Sequence, residues 1–198
     1  MPRKPDRRFS IADVMILVPA AAVAAALLRP YMSGFARVLG YLSGAMNDPW
    51  SLWRGYFWLR GPGSCVVVPW MAAMIVIRLR RPRPRRIRLA SQPGFAACLA
   101  VMASLLPGLA WYASIRHRPG FRRPEGFEQT WAIITHWSDT AVVGSWIALA
   151  LARRWRPEPT WIDRMGRVLG GYWMFLLFGG LALEWMDSLL KLLSRTGP

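Results

Sequence analysis

Thr135, His136 and Asp139 are the residues of this chain best spaced for chemistry. His136 and Asp139 stand three apart, and Thr135 and Asp139 four apart, so a helix puts all of them on one face. An imidazole beside a carboxylate can pass a proton, and an imidazole can also ligate haem iron. Three uses are open. The plainest is a polar contact between helices. The others are a proton or ion pathway and an axial ligand role for His136, to haem or another pigment. The only other histidine, His117, lies in an arginine-rich stretch and makes a poor second haem ligand. No metal and no cofactor is therefore expected.

Glu184 and Asp187 form the next pair, three apart. Together with Asp139 and His136 they would make a cation site of three carboxylates and one imidazole. The blander expectation is pairing with Arg116, Arg118, Arg122 or Arg123. The chain has no G-x-S-x-G, H-E-x-x-H, Walker A or G-x-G-x-x-G pattern, so no catalytic residue is assigned and no enzyme is expected. Cys65 and Cys98 sit in apolar runs without a C-x-x-C and read as small buried hydrophobes.

The elements that must position these residues follow from composition. The 198 residues are 54% hydrophobic and include 12 Trp, yet carry a net charge of +16. That mixture excludes a disordered, collagen-like or disulfide-stapled chain and suits a membrane protein. Five apolar runs are long enough, or nearly so, to cross a bilayer: 11–28, 61–80, 95–115, 131–152 and 168–186. The expected fold is all-α, a polytopic transmembrane bundle forming a single membrane domain over 1–198. The run from 11 follows a basic start and could pass for a signal peptide, but 18 residues is long for one, so a retained helix is expected. The stretch at 61–80 is the weakest span, with only 14 unbroken apolar residues.

Five crossings put the N-terminal stub and the connections at 78–94 and 153–167 on one side. That side holds sixteen of the 26 positive residues, which places it, and the N-terminus, in the cytoplasm, with the C-terminus outside. The densest basic run is Arg78, Arg80, Arg81, Arg83, Arg85, Arg86 and Arg88. Its position between two spans reads as an orientation signal and a contact for anionic lipid headgroups, and its prolines argue against nucleic acid. On the other side, 33–59 reads as two short interfacial helices. Asp48-Pro49 opens the second, and Trp50, Trp53, Tyr56, Phe57 and Trp58 anchor it at headgroup depth. A docking surface is the alternative use of these aromatics.

Gly40/Gly44 and Gly166/Gly170 fit G-x-x-x-G, and Ser104/Gly108 and Gly144/Ala148 fit the looser small-residue form. These spacings let helices approach closely in lipid, within one chain or between subunits. The segment Arg7-Arg-Phe-Ser-Ile-Ala-Asp-Val-Met-Ile-Leu-Val18, with Arg78–Gly94 and its R-L-R-R-P-R-P core, resembles small uncharacterised bacterial inner-membrane proteins that open on an R-R-F-[ST]-I-A-D-[LV]-M-like first span. The resemblance implies an integral inner-membrane protein and brings no activity. The functional expectation is a non-catalytic accessory or scaffold subunit of a membrane assembly, whose partners are the bilayer and other membrane subunits or itself. The rivals are a small proton- or ion-linked transporter or channel and a pigment- or haem-binding electron-transfer subunit.

Overall fold

The computed structural model describes residues 9–43, 53, 55–57, 59–80, 89–115 and 123–196. Among them the chain is helical with no strand. Helix α1 spans Ile11–Ser43, α2 Ser64–Leu79, α3 Pro93–Ile115, α4 Arg123–Leu151 and α5 Trp161–Thr196. A π-helical turn at Leu59–Gly63 leads directly into α2. The helices α1, α3 and α5, and the run Gly55–Leu79, are each long and apolar enough to cross a membrane. The bundle is thus a multi-pass membrane fold. Helix α4 is less apolar, because its first turns carry Arg123, Glu125 and Glu128 and its middle the polar residues between Thr135 and Thr140.

Local sequence explains where α1 begins and which face it buries. The Asp13 carboxylate accepts the Ser10 backbone N–H at 3.0 Å, one arm of a capping box. Asp13, Ala20 and Ala24 are buried, and Leu17, Leu27 and Tyr31 continue the stripe against the core. The opposite face exposes Ile11, Met15 and Val18. Helix α1 packs chiefly on α2 and so forms one edge of the bundle. The core is built where α2, α3, α4 and α5 meet, around Met71, Ile77, Val101, Val142, Trp173 and Leu176.

Packing fixes the direction of each helix. Ser104 meets Ser138, Gly108 faces Ile134, and the Trp146 indole donates to the Pro93 carbonyl at 2.9 Å. Helices α3 and α4 therefore run antiparallel, side by side, along most of their length. Gly94 and Gly166 touch backbone to backbone: a Cβ on Gly166 would lie 2.8 Å from the Gly94 carbonyl oxygen. That G-x-x-x-G motif is used within the chain, whereas a Cβ on Gly144 would meet nothing within 4 Å. Phe9 packs edge-on against Trp161 at 5.2 Å, and Arg80 lies 3.7 Å from Asp13. One end of the bundle thus gathers residues 9–13, 78–80, 89–94 and 153–163. These residues lie in or border the segments whose charges predict a common side.

Two boundaries differ from the sequence reading. Helix α1 does not stop at 28 but continues through Pro30 to Ser43, so 33–43 is not a separate interfacial helix. A proline inside a helix costs one hydrogen bond, and in an apolar bundle the remaining backbone bonds still favour continuation. Of the second interfacial segment the described residues are 53, 55–57 and 59; 55–57 are helical and open an apolar run from Gly55 to Leu79 that is long enough to cross a membrane. Trp50, Trp58, Arg81, Arg83, Arg85, Arg86 and Arg88 lie outside the described residues.

Candidate functional site

The sequence Arg60-Gly-Pro-Gly builds the site. Pro62 has no N–H to give, so the chain widens there into a π-helical turn. The carbonyls of this turn find other donors. Gly61 O accepts the Ser64 hydroxyl at 2.7 Å and the Trp131 indole at 3.2 Å, and Leu59 O accepts the Tyr172 hydroxyl at 2.6 Å. Trp131 also reaches Ser64 Oγ. With its backbone held from α2, α4 and α5, the turn directs Arg60 at α4.

There Arg60 meets the residues singled out by spacing. Its Nε donates to Thr135 Oγ1 at 3.3 Å and its Nη1 to the Tyr56 hydroxyl at 3.0 Å. Its Nη2 donates to His136 Nδ1 and to Asp139 Oδ2, each at 3.2 Å. Tyr56 in turn donates to the Leu176 carbonyl on α5 at 2.8 Å. Asp139 is 1% exposed and Arg60 18%, so this is a largely desolvated ion pair. The other carboxylate oxygen, Oδ1, accepts the Thr140 N–H and hydroxyl. Charge within an apolar bundle is tolerable only when matched and hydrogen-bonded in this way.

The geometry bears on what His136 can do. A guanidinium only donates, so Nδ1 must accept, and the neutral ring carries its proton on Nε2. In that tautomer neither nitrogen has a free lone pair for a metal. Ligating histidines have the reverse arrangement, with the non-ligating nitrogen donating to an acceptor. Among the described residues no group of three His, Cys, Asp or Glu side chains could hold a metal ion.

The sequence-predicted residues divide cleanly. Thr135, His136 and Asp139 come together as their spacing implies. Glu184 and Asp187 make no hydrogen bond to them: Asp187 pairs with Lys191 one turn along α5, and Glu184 is exposed, its charge acting on Tyr56 only through space. Tyr56 is not a headgroup anchor. It is buried, because its hydroxyl serves both Arg60 and α5, and a Cβ on Gly180 would collide with that hydroxyl. Trp53 packs beside Tyr56 against the core, and Phe57 is exposed. Arg60 itself was legible only as a flanking positive charge. The missed signal is that the apolar run begins at Gly55, which puts Arg60 inside the crossing, where it requires a carboxylate.

A second polar network closes the opposite end. Arg78 is 5% exposed, donates its Nε to Gln92 Oε1 at 3.0 Å and pairs with Glu158. Asp163 is 2% exposed and accepts the backbone N–H groups of Gly94 and Glu158, both at 3.1 Å, beside Arg167 at 3.3 Å. Arg78 therefore does not face lipid headgroups, since its guanidinium is spent inside the protein. Arg80 is partly exposed above Asp13. Comparison of this chain with protein-family models, with curated proteins and with solved structures gives no match.

Proposed function

We propose that this chain is a non-catalytic scaffold or accessory subunit of a membrane assembly in a bacterial inner membrane. On this reading α4 crosses with the other four helices, giving five spans, with the N-terminus in the cytoplasm and the C-terminus outside. The observation that carries it is the closure of the Arg60 network. The carboxylate and imidazole that would serve transport or ligation are engaged by one arginine, and that arginine joins the crossing that contains it to α4 and, through Tyr56, to α5. A cluster saturated by its own members stabilises an architecture. A carrier would have to break the Arg60–Asp139 pair at every turnover, leaving a buried charge unmatched.

Support for the α4 crossing comes from its antiparallel register with α3, which keeps the two helices at one depth. Support for association comes from the outward faces of α1 and α5, where Ile11, Met15, Val18, Trp185 and Leu193 are exposed.

Purification in mild detergent followed by cross-linking and mass measurement tests the reading. The expected result is a stoichiometric assembly with another membrane subunit or a second copy, together with no ion flux in proteoliposomes. A lone monomer whose flux disappears in Asp139→Asn while the fold persists would overturn it in favour of a carrier. Orientation is read separately by thiol labelling, since Cys65 and Cys98 are buried and give a low background. Ser188→Cys is expected to label from outside intact cells, and Ala152→Cys only after permeabilisation.

A further inference from the structure

We propose that the connection between α4 and α5, centred on Arg153, Arg154 and Arg156, binds the phosphate headgroup of an anionic phospholipid. The inference rests on the membrane placement of the bundle and is independent of the scaffold reading. The sequence points to Arg78 and its neighbours for this contact, yet Arg78 is buried and paired. At the same end of the bundle, Arg153, Arg154 and Arg156 are all exposed, and among the described residues their guanidinium groups make no ion pair.

The backbone that carries these arginines is held rigidly. Helix α4 ends in a Schellman motif: Arg154 N–H donates to Leu149 O at 2.9 Å and Arg153 N–H to Ala150 O at 3.0 Å. Arg153 occupies its left-handed position, with φ of 52°, where glycine is the usual residue. Three residues further, Arg156 N–H donates to the Ser91 carbonyl at 3.1 Å. Between them Trp155 packs edge-on to Trp146 at 5.5 Å, and the Trp146 indole is itself fixed to Pro93. Trp155 remains 40% exposed, as suits an indole at a membrane interface.

Electrostatics favour the same occupant. The nearby carboxylates are already neutralised, Glu158 by Arg78 and Asp163 by Arg167 and two backbone N–H groups. Exposed Arg164 adds to the positive field. The hydrogen-bonded backbone keeps the three arginines together, so binding has only their side chains to order, and guanidinium forks match phosphate oxygens. The neighbouring Trp pair supplies apolar area for the glycerol and upper acyl chain. Free phosphate would satisfy the arginines but leave those indoles without an occupant.

The test places the protein in phosphatidylcholine nanodiscs containing a minor fraction of phosphatidylglycerol and counts co-retained lipids by native mass spectrometry. The expected result is enrichment of phosphatidylglycerol that falls about fivefold for each arginine neutralised, near the surface value for one basic residue. Arg153→Gly is expected to lose that factor while raising the melting temperature in detergent, since glycine relieves the left-handed backbone. Lys191→Gln, at the far end of α5, is expected to change nothing. Unchanged enrichment in R153Q/R154Q/R156Q overturns the proposal, as does an equal loss in Lys191→Gln. Inorganic phosphate abolishing the enrichment at millimolar concentration also overturns it, identifying the free anion as ligand. Should the triple variant fail to fold, Arg153→Gly and Arg154→Gln each carry the same comparison.

Discussion

The two polar networks of this bundle sit at opposite ends of one helical run. Arg60 and Arg78 are separated by eighteen residues, about 27 Å at the rise of a helix and close to the thickness of a hydrocarbon core. Both bury an arginine against a carboxylate, yet they are built differently. The Arg60 network joins side chains that all project from helical segments: Tyr56, Thr135, His136 and Asp139. The Arg78–Asp163 network is made at helix ends, and Asp163 takes backbone N–H groups from Gly94 and from Glu158 in the connection. The first holds helices to helices. The second fastens a connection to the bundle, and that connection presents Arg153, Arg154 and Arg156. The difference teaches that similar charge pairs serve separate tasks, according to whether their partners are side chains within crossings or backbone at their ends.

The largest effect should come from breaking the Arg60 network. Asp139→Ala leaves Arg60 without its carboxylate in a desolvated site and is expected to cost about 3–5 kcal/mol. Reversible unfolding in mixed micelles measures it, and R60M/D139L should recover most of the loss, because neither charge remains to be desolvated. An additive double variant would show that the two residues do not act as a pair.

A smaller effect is expected from Asp163→Asn, about 1.5–3 kcal/mol, through weakened charge-assisted bonds to Gly94, Glu158 and Arg167. Its distinguishing sign is local. Protease cleavage and hydrogen exchange should rise between 152 and 160, while Asp139→Ala should leave that connection protected in the molecules that remain folded. Equal loosening in both variants would erase the distinction between the networks.

The smallest effect is assigned to His136→Ala. His136 is exposed and adds one acceptor to an arginine that keeps three others, so about 0.5–1.5 kcal/mol is expected by the same unfolding measurement. A loss equal to that of Asp139→Ala would mean that the imidazole holds the arginine as firmly as the carboxylate does.

Much of the architecture is legible because its causes are local. Apolar runs of spanning length mark the crossings, and spacing of three and four places Thr135, His136 and Asp139 on one face. The described parts of the segments read as sharing a side gather at one end of the bundle. Errors arose where a local cue had a nonlocal outcome. Pro30 reads as a stop, yet α1 continues to Ser43. Tyr56 reads as an interfacial anchor, yet it lies beneath Gly180 on a helix more than a hundred residues away.

What the amino-acid order determined by itself is therefore the all-helical membrane fold, the polar face of α4 and the alternation of charge between connections. Only the tertiary structure decided the partners. It joined Arg60 to Asp139 across 79 residues, turned Arg78 inward to Gln92 and Glu158, and paired Asp187 with Lys191. The physical reason is that helical periodicity fixes which residues share a face. Which face meets which neighbour depends on the rotation and register of packed helices. Here those are set by close contacts such as Gly94 on Gly166 and by the π-helical turn at Pro62.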